Sequence, residues 1–154
     1  MQICIKTILR TNIKTAWQNV LLPQTLVFIA KPILSFTPIL PTFFPKHWEI
    51  GTYKTNLKVF GVLPFGSHSI VIEKPESNSD DLKFLIDNGY RQLISLWYHA
   101  ITIQKITDDS CQYEDRVEIE ADRLTPFIWL FALVFYHWRQ FRWKKLIHNN
   151  FNNL

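Results

Sequence analysis

Hydrophobic and polar positions change period several times along this chain, and each change marks an element. Residues 1–10 alternate loosely and carry β-branched side chains, which predicts a first strand. Thr11 or Asn12 supplies the cap of a short helix running through Val20, with Trp17 and Val20 three apart on one face. From Trp48 onward the period falls to two. Residues 49–59 put Tyr53, Leu57 and Val59 on one face. Gly61 and then Pro64, Phe65 and Gly66 mark a reversal, and 68–73 is the next strand. Residues 82–87 lead to Asn88 and Gly89, a two-residue hairpin signal. A long strand, 93–106, turns at 107–110 into 111–120.

The period then becomes helical. Residues 124–148 (LTPFIWLFALVFYHWRQFRWKKLIH) meet no breaker before Asn149 and Asn150. Thr125 stands as N-cap and Pro126 as first helical residue, and the helix spans ~35 Å at 1.5 Å per residue. Between the short helix and the strands lies a different kind of segment, 21–45. It is strongly apolar, yet Pro23, Pro32, Pro38, Pro41 and Pro45 punctuate it. Those prolines and Lys31 exclude a transmembrane helix and predict a short second helix followed by an extended, packed lid. Residues 75–81 read as a solvated loop. The order is strand, two short helices, five strands and one long helix, an α+β arrangement with the helix covering one sheet face. No repeat or linker divides it, so 1–154 reads as one domain.

Strand alternation separates the sheet faces. Gln112, Glu114, Arg116, Glu118 and Glu120 form a solvent face, so Tyr113, Asp115, Val117 and Ile119 point inward. Trp97, His99, Ile101 and Ile103 do the same in the preceding strand, as do His68, Ile70 and Ile72 one hairpin earlier. Three polar residues therefore interrupt an apolar inner face: His68, His99 and Asp115. Such exceptions carry information, because burying a polar group costs free energy unless it is paired. Asp115 lies ~20 Å from the end of its strand, and a helix folding back covers that in ~13 positions, reaching residues 138–142. Arg142 shares a helical face with Phe127, Phe131, Val134 and Trp138, so Asp115 and His99 are expected to approach Arg142 or Arg139. One reading is a structural ion pair with a hydrogen-bonded core histidine. The other is a polar patch that fixes one end of an apolar ligand.

The back of the helix is mixed. Its first half offers Trp129, Leu133 and Tyr136, its second Gln140 and Lys144. The apolar half needs a cover, and segment 21–45 is the expected one; a homodimer contact or a transient membrane-surface contact are the alternatives. Arg139, Arg142, Lys144 and Lys145 suit an anionic interface, but they also complement the helix dipole.

Composition narrows this picture. Six tryptophans and twelve phenylalanines suit a core or apolar cavity built around a helix. A net charge of +4 permits anionic partners without arguing for them. Cys4 and Cys111 make no disulfide framework, and the charged N-terminal stretch is no secretory signal, so a cytoplasmic location is expected. There is no G-x-S-x-G, Walker loop, paired Cys-x2-Cys, cofactor signature or nucleic-acid module. A zinc site from His68, His99 and Asp115 would join strands that are not neighbours, so no metal is assigned.

Several motifs together resemble a known family. They are Trp48-x2-Gly51-x-Tyr53, Phe60-Gly61-x2-Pro64-Phe65-Gly66-x-His68-x-Ile70 and Trp97-x-His99. Tyr113-x-Asp115-x-Val117, Leu124-Thr125-Pro126 and Phe135-Tyr136-x2-Arg139-x2-Arg142-Trp143 continue the match. Across nearly the whole chain they resemble an uncharacterised bacterial branch of the SRPBCC superfamily, which includes START lipid-transfer domains, birch-pollen-allergen-like proteins, polyketide cyclases and ubiquinone-binding proteins. The resemblance implies a helix-grip fold, in which a curved antiparallel sheet of about six strands wraps a long C-terminal helix around a hydrophobic cavity.

The expected function is binding or carriage of a lipid, quinone or polyketide-like molecule in that cavity. Its expected ligand-binding residues are His68, Trp97, His99, Tyr113, Asp115, Phe131, Trp138, Arg139 and Arg142. The alternatives are a cyclase- or dehydratase-like enzyme using His99 and Asp115, and a peripheral membrane or interaction protein.

Overall fold

The computed structural model describes residues 1–75, 79–89, 94–152 and 154. Seven antiparallel strands form one sheet: β1 (Gln2–Leu9), β2 (Leu34–Leu40), β3 (Gly51–Val59), β4 (Leu63–Glu73), β5 (Leu82–Asp87), β6 (Leu96–Thr107) and β7 (Ser110–Glu120). Their order across the sheet is β1-β7-β6-β5-β4-β3-β2. Helices α1 (Ile13–Val20) and α2 (Pro23–Ala30) follow β1, and α3 (Thr125–His148) closes the chain on the inner face. This is the helix-grip α+β architecture. No helix among the described residues is long and apolar enough to cross a membrane.

Local chemistry explains the helix starts. Asn12 caps α1, its side chain accepting the Thr15 N–H at 2.8 Å, and Pro23 opens α2 where a missing N–H costs nothing. Thr125 is not the cap of α3. It is the first helical residue, and its hydroxyl accepts from the Ala121 N–H and donates to the Asp122 carbonyl, each at 2.8 Å. That ties α3 to a short 3-10 turn, Asp122–Leu124, which separates it from β7.

Segment 21–45 holds more regular structure than its prolines suggested. After α2 it forms β2, an edge strand paired with β3 from Leu34 to Leu40, rather than a lid. Pro38 is tolerated because the edge leaves its missing donor unneeded, and the register slips between Pro38 and Leu40. Residues 76–78 of the 75–81 loop and Leu93 of the expected 93–106 strand fall outside the described residues.

The turn between β3 and β4 sits at Phe60 and Gly61, both at positive φ. Pro64, Phe65 and Gly66 lie inside β4 instead, where Leu57 pairs with Gly66 and Lys58 with Pro64. Phe65 is thus the extra residue of a bulge, re-aimed to within 5.9 Å of the Phe131 ring on α3. Nor is there a two-residue hairpin at Asn88 and Gly89, because Asp87 already pairs with His99. Gly89 answers a steric demand: a Cβ there would lie 2.7 Å from the Ser69 carbonyl oxygen and 2.8 Å from the His68 ring.

The helix is rotated from the expected phase. Ala132, Phe135, Tyr136, Arg139, Gln140, Trp143 and Leu146 are buried. Phe127 and Val134, expected to face the sheet, are 74% and 58% exposed. Cover on the outer side is also reversed from expectation. The end of α2 lies over the second half of α3, with Trp138 Nε1 donating to the Lys31 carbonyl at 2.9 Å. Phe127, Leu130 and Val134 in the first half stay exposed.

Candidate functional site

A cavity of about 100 Å³ lies between α3 and the inner face of the sheet. That is several times the ~10–15 Å³ that one water needs, and below the ~300–1,000 Å³ typical of pockets for drug-sized ligands. Its walls are mostly apolar: Ile29 from α2, Ile70, Ile72, Leu85 and Ile101 from the sheet, and Phe131, Phe135 and Trp143 from α3. Polar atoms enter where β4–β7 meet the turn of α3 that carries Tyr136 and Arg139.

Strand alternation brings His99 and Asp115 together, since both point inward from adjacent strands with His99 paired to Val117 and Ile101 to Asp115. His99 Nε2 lies 2.8 Å from Asp115 Oδ1. Tyr113 donates to the same oxygen at 3.0 Å, and Gln140 donates to Oδ2 at 3.3 Å and to the Ile5 carbonyl at 2.6 Å. The Arg139 guanidinium completes the group, 3.8 Å from Oδ1 and 4.9 Å over the Tyr136 ring. Asp115 is wholly buried. Burial alone would raise its pKa, but Arg139, His99 and Gln140 together hold it below the ordinary carboxylate value. Because an ionised carboxylate only accepts, His99 Nε2 carries the proton. Desolvation keeps His99 itself below its ordinary pKa, with Arg139 adding to that effect and Asp115 opposing it. Arg139 stays charged, since Asp115, Tyr113 and Tyr136 outweigh the cost of its burial.

The expected site residues divide. His68, Trp97, His99, Tyr113, Phe131 and Arg139 line the cavity. Asp115 does not; it stands behind His99 and Tyr113 with both oxygens engaged. Trp138 and Arg142 also lie away from it. Arg142 donates to the Phe28 carbonyl at 3.0 Å and stacks 4.0 Å over the Phe28 ring, so only Arg139 meets Asp115.

Three groups escaped the sequence reading. Gln140 was placed on the wet side of the helix, yet it is buried against Asp115. Tyr136, assigned to the helix back, lies 4.9 Å from the His99 ring and lines the cavity. Asp87 occupies an inward position of β5 beside Leu85; its signal was the alternation of 85 and 87, hidden by the turn residues that follow. His68 packs edge-on to Trp97 at 6.4 Å. Among the described residues no three of His, Cys, Asp and Glu converge as metal ligands.

No family model matches the sequence, and no curated protein matches it. Solved structures do resemble the fold. A hypothetical protein of Helicobacter pylori superposes with a TM-score of 0.70 at 12% identity, over 94% of this chain and 86% of that one. A START superfamily protein from Mycobacterium smegmatis gives 0.63 at 8% identity, over 96% and 97%. Norcoclaurine synthase from Thalictrum flavum, in complex with dopamine and hydroxybenzaldehyde, gives 0.64 at 12% identity, over 97% and 87%. At such identities the likeness speaks for the fold alone, a seven-stranded antiparallel sheet gripping a long C-terminal helix.

Proposed function

We propose that this protein binds a compact hydrophobic small molecule in the cavity between the sheet and α3. The observation that carries the reading is the cavity itself, about 100 Å³ of space inside an otherwise packed core. Apolar burial supplies the affinity, at roughly 25 cal/mol per Å² of ligand surface removed from water. His68, Trp97, His99, Tyr113, Phe131 and Arg139 are the expected contacts. Ring-sized molecules suit the volume better than long acyl chains. The complex of norcoclaurine synthase with two small aromatic compounds supports that size class for the fold. Carriage of a quinone or polyketide-like compound is the finer form of this proposal.

Mass spectrometry of organic extracts from natively purified protein tests it. A stoichiometric hydrophobic compound, absent from extracts of a cavity-filled Ile101→Trp variant, is the expected result. No compound in the extract, together with no binding of small aromatic probes, contradicts it.

A second reading has one specific observation behind it. His99 stands on the cavity wall with its Nε2–H directed to Asp115, so its other nitrogen keeps a lone pair, the arrangement of an oriented general base. In that reading His99 moves the proton and Asp115 positions it. His99→Gln leaving turnover of a bound ligand unchanged would exclude it.

A further inference from the structure

Among the described residues, Asp87 is the one carboxyl on the cavity wall, and burial of an apolar ligand leaves it without a role. It alternates with Leu85 onto the inner face of β5, and both line the cavity. The residue is half-buried and lines the cavity. Its position is fixed. The β4–β5 ladder is confined to Ile72 with Asp87 and Glu73 with Ile86, and beyond it Asp87 Oδ1 accepts the Val71 N–H at 2.9 Å.

We propose that Asp87 holds the polar end of the ligand, and that this polar end is a hydrogen-bond acceptor such as a carbonyl. The inference rests on the cavity being a ligand site and adds the chemical class of what it takes. Among the described residues, the titratable groups that line the cavity beside Asp87 are His68 on β4, His99 on β6, Tyr113 on β7, and Tyr136 and Arg139 on α3, with Asp115 on β7 behind His99. Helices α1 and α2 and strands β2 and β3 bring no titratable group to the wall. The cation in that set, Arg139, is already engaged by Asp115 at 3.8 Å. Among the described residues no other cation lines the cavity beside this carboxyl, whose neighbours on the wall include Ile72, Leu85, Ile94 and Trp97, so the protonated form is favoured relative to a carboxyl in water. Desolvation raises its pKa to about 7, against the lowering effect of the Val71 and Gly89 amides and of Arg139.

With the Val71 and Gly89 amides donating to its oxygens, the acid still has one O–H to give. A ketone, aldehyde or quinone oxygen can receive it. A hydrocarbon leaves the O–H without a partner, and an ammonium requires the ionised form that the cavity disfavours.

Isothermal titration with three molecules of matched size separates these cases: acetophenone, cumene and 1-phenylethylamine, each at pH 6 and pH 8. Acetophenone is expected to bind about tenfold more tightly than cumene at pH 6, the worth of one buried hydrogen bond. It is expected to lose about tenfold by pH 8 as the carboxyl ionises, while cumene binds alike at both. Asp87→Asn keeps an acceptor for Val71 and a donor for the ligand, so it should bind acetophenone with no pH dependence. Asp87→Leu should bring acetophenone down to the cumene level. Equal, pH-independent binding of acetophenone and cumene by the native protein overturns the role of Asp87 and leaves the cavity reading intact. Preference for the amine, rising toward pH 8, overturns the acceptor assignment. Binding of none of the three overturns the cavity reading itself.

Discussion

His99 Nε2 lies 2.8 Å from Asp115 Oδ1, inside a core where neither side chain meets bulk water. Tyr113, Gln140 and Arg139 also meet the carboxylate, so four side chains converge on Asp115. Removing its charge leaves a buried guanidinium with no counter-ion. Asp115→Asn should therefore cost ~3–5 kcal/mol in urea denaturation. Tyr113→Phe, which removes a donor to the carboxylate and an acceptor for Arg139 at 3.5 Å but leaves the charges paired, should cost less, ~1.5–3 kcal/mol. Equal costs would mean that Arg139 finds compensation elsewhere.

The pH dependence of stability combines opposed contributions. His99 has a depressed pKa in the fold, so the unfolded chain takes up a proton first and stability is lost as pH falls below about 6.5. Asp115, also depressed, contributes stability above its unfolded value of 3.8 that is lost as pH falls through its folded value. Asp87 runs the other way. Its folded pKa of about 7 exceeds the unfolded 3.8, so its cost is absent in acid and complete above pH 7. Chemical denaturation of Asp87→Asn beside the native protein isolates that contribution. The variant's advantage should grow from near zero at pH 4 to as much as ~4 kcal/mol at pH 8. A difference that stays flat with pH would show that Asp87 ionises normally.

The phase of α3 is open to a simple comparison. Phe135 is 3% exposed and packs at 5.3 Å against Tyr136, whereas Phe127 is 74% exposed. Phe135→Ala should cost ~3–5 kcal/mol and Phe127→Ala within ~0.5 kcal/mol, read from denaturant midpoints. The reverse order would restore the phase expected from sequence.

Gly89 makes a sharper steric prediction. In Gly89→Ala the new Cβ would meet the Ser69 carbonyl oxygen at 2.7 Å, and that atom belongs to the β4 backbone. A loss of ~1–3 kcal/mol is expected, and trimming the His68 ring should restore only part of it. Full rescue by His68→Ala would place the strain in the ring alone.

These comparisons also show what the sequence carried. The inner face of β6 and β7 was legible because period-two alternation is strict there, and His99 and Asp115 stood out as polar residues within it. Strand β2 was not, because five prolines read as breakers and only its place at the sheet edge makes Pro38 acceptable. The phase of α3 was illegible for another reason. A helix apolar on nearly every side of its first half has no polar stripe to orient it, and Gln140 looked like a solvent residue until its partner across the core was known. Asp87 was hidden by position, as the last residue of its strand before two turn formers.

Ligand entry into the cavity is what the proposed function requires first. A methyl-resolved NMR titration with cumene measures that directly. Binding should shift the methyl signals of Ile29, Ile70, Ile72, Leu85 and Ile101, which line the cavity, and leave those of Leu130 and Val134 on the outer face of α3 unmoved. Shifts confined to the outer face, or none at concentrations approaching cumene's solubility, would contradict it.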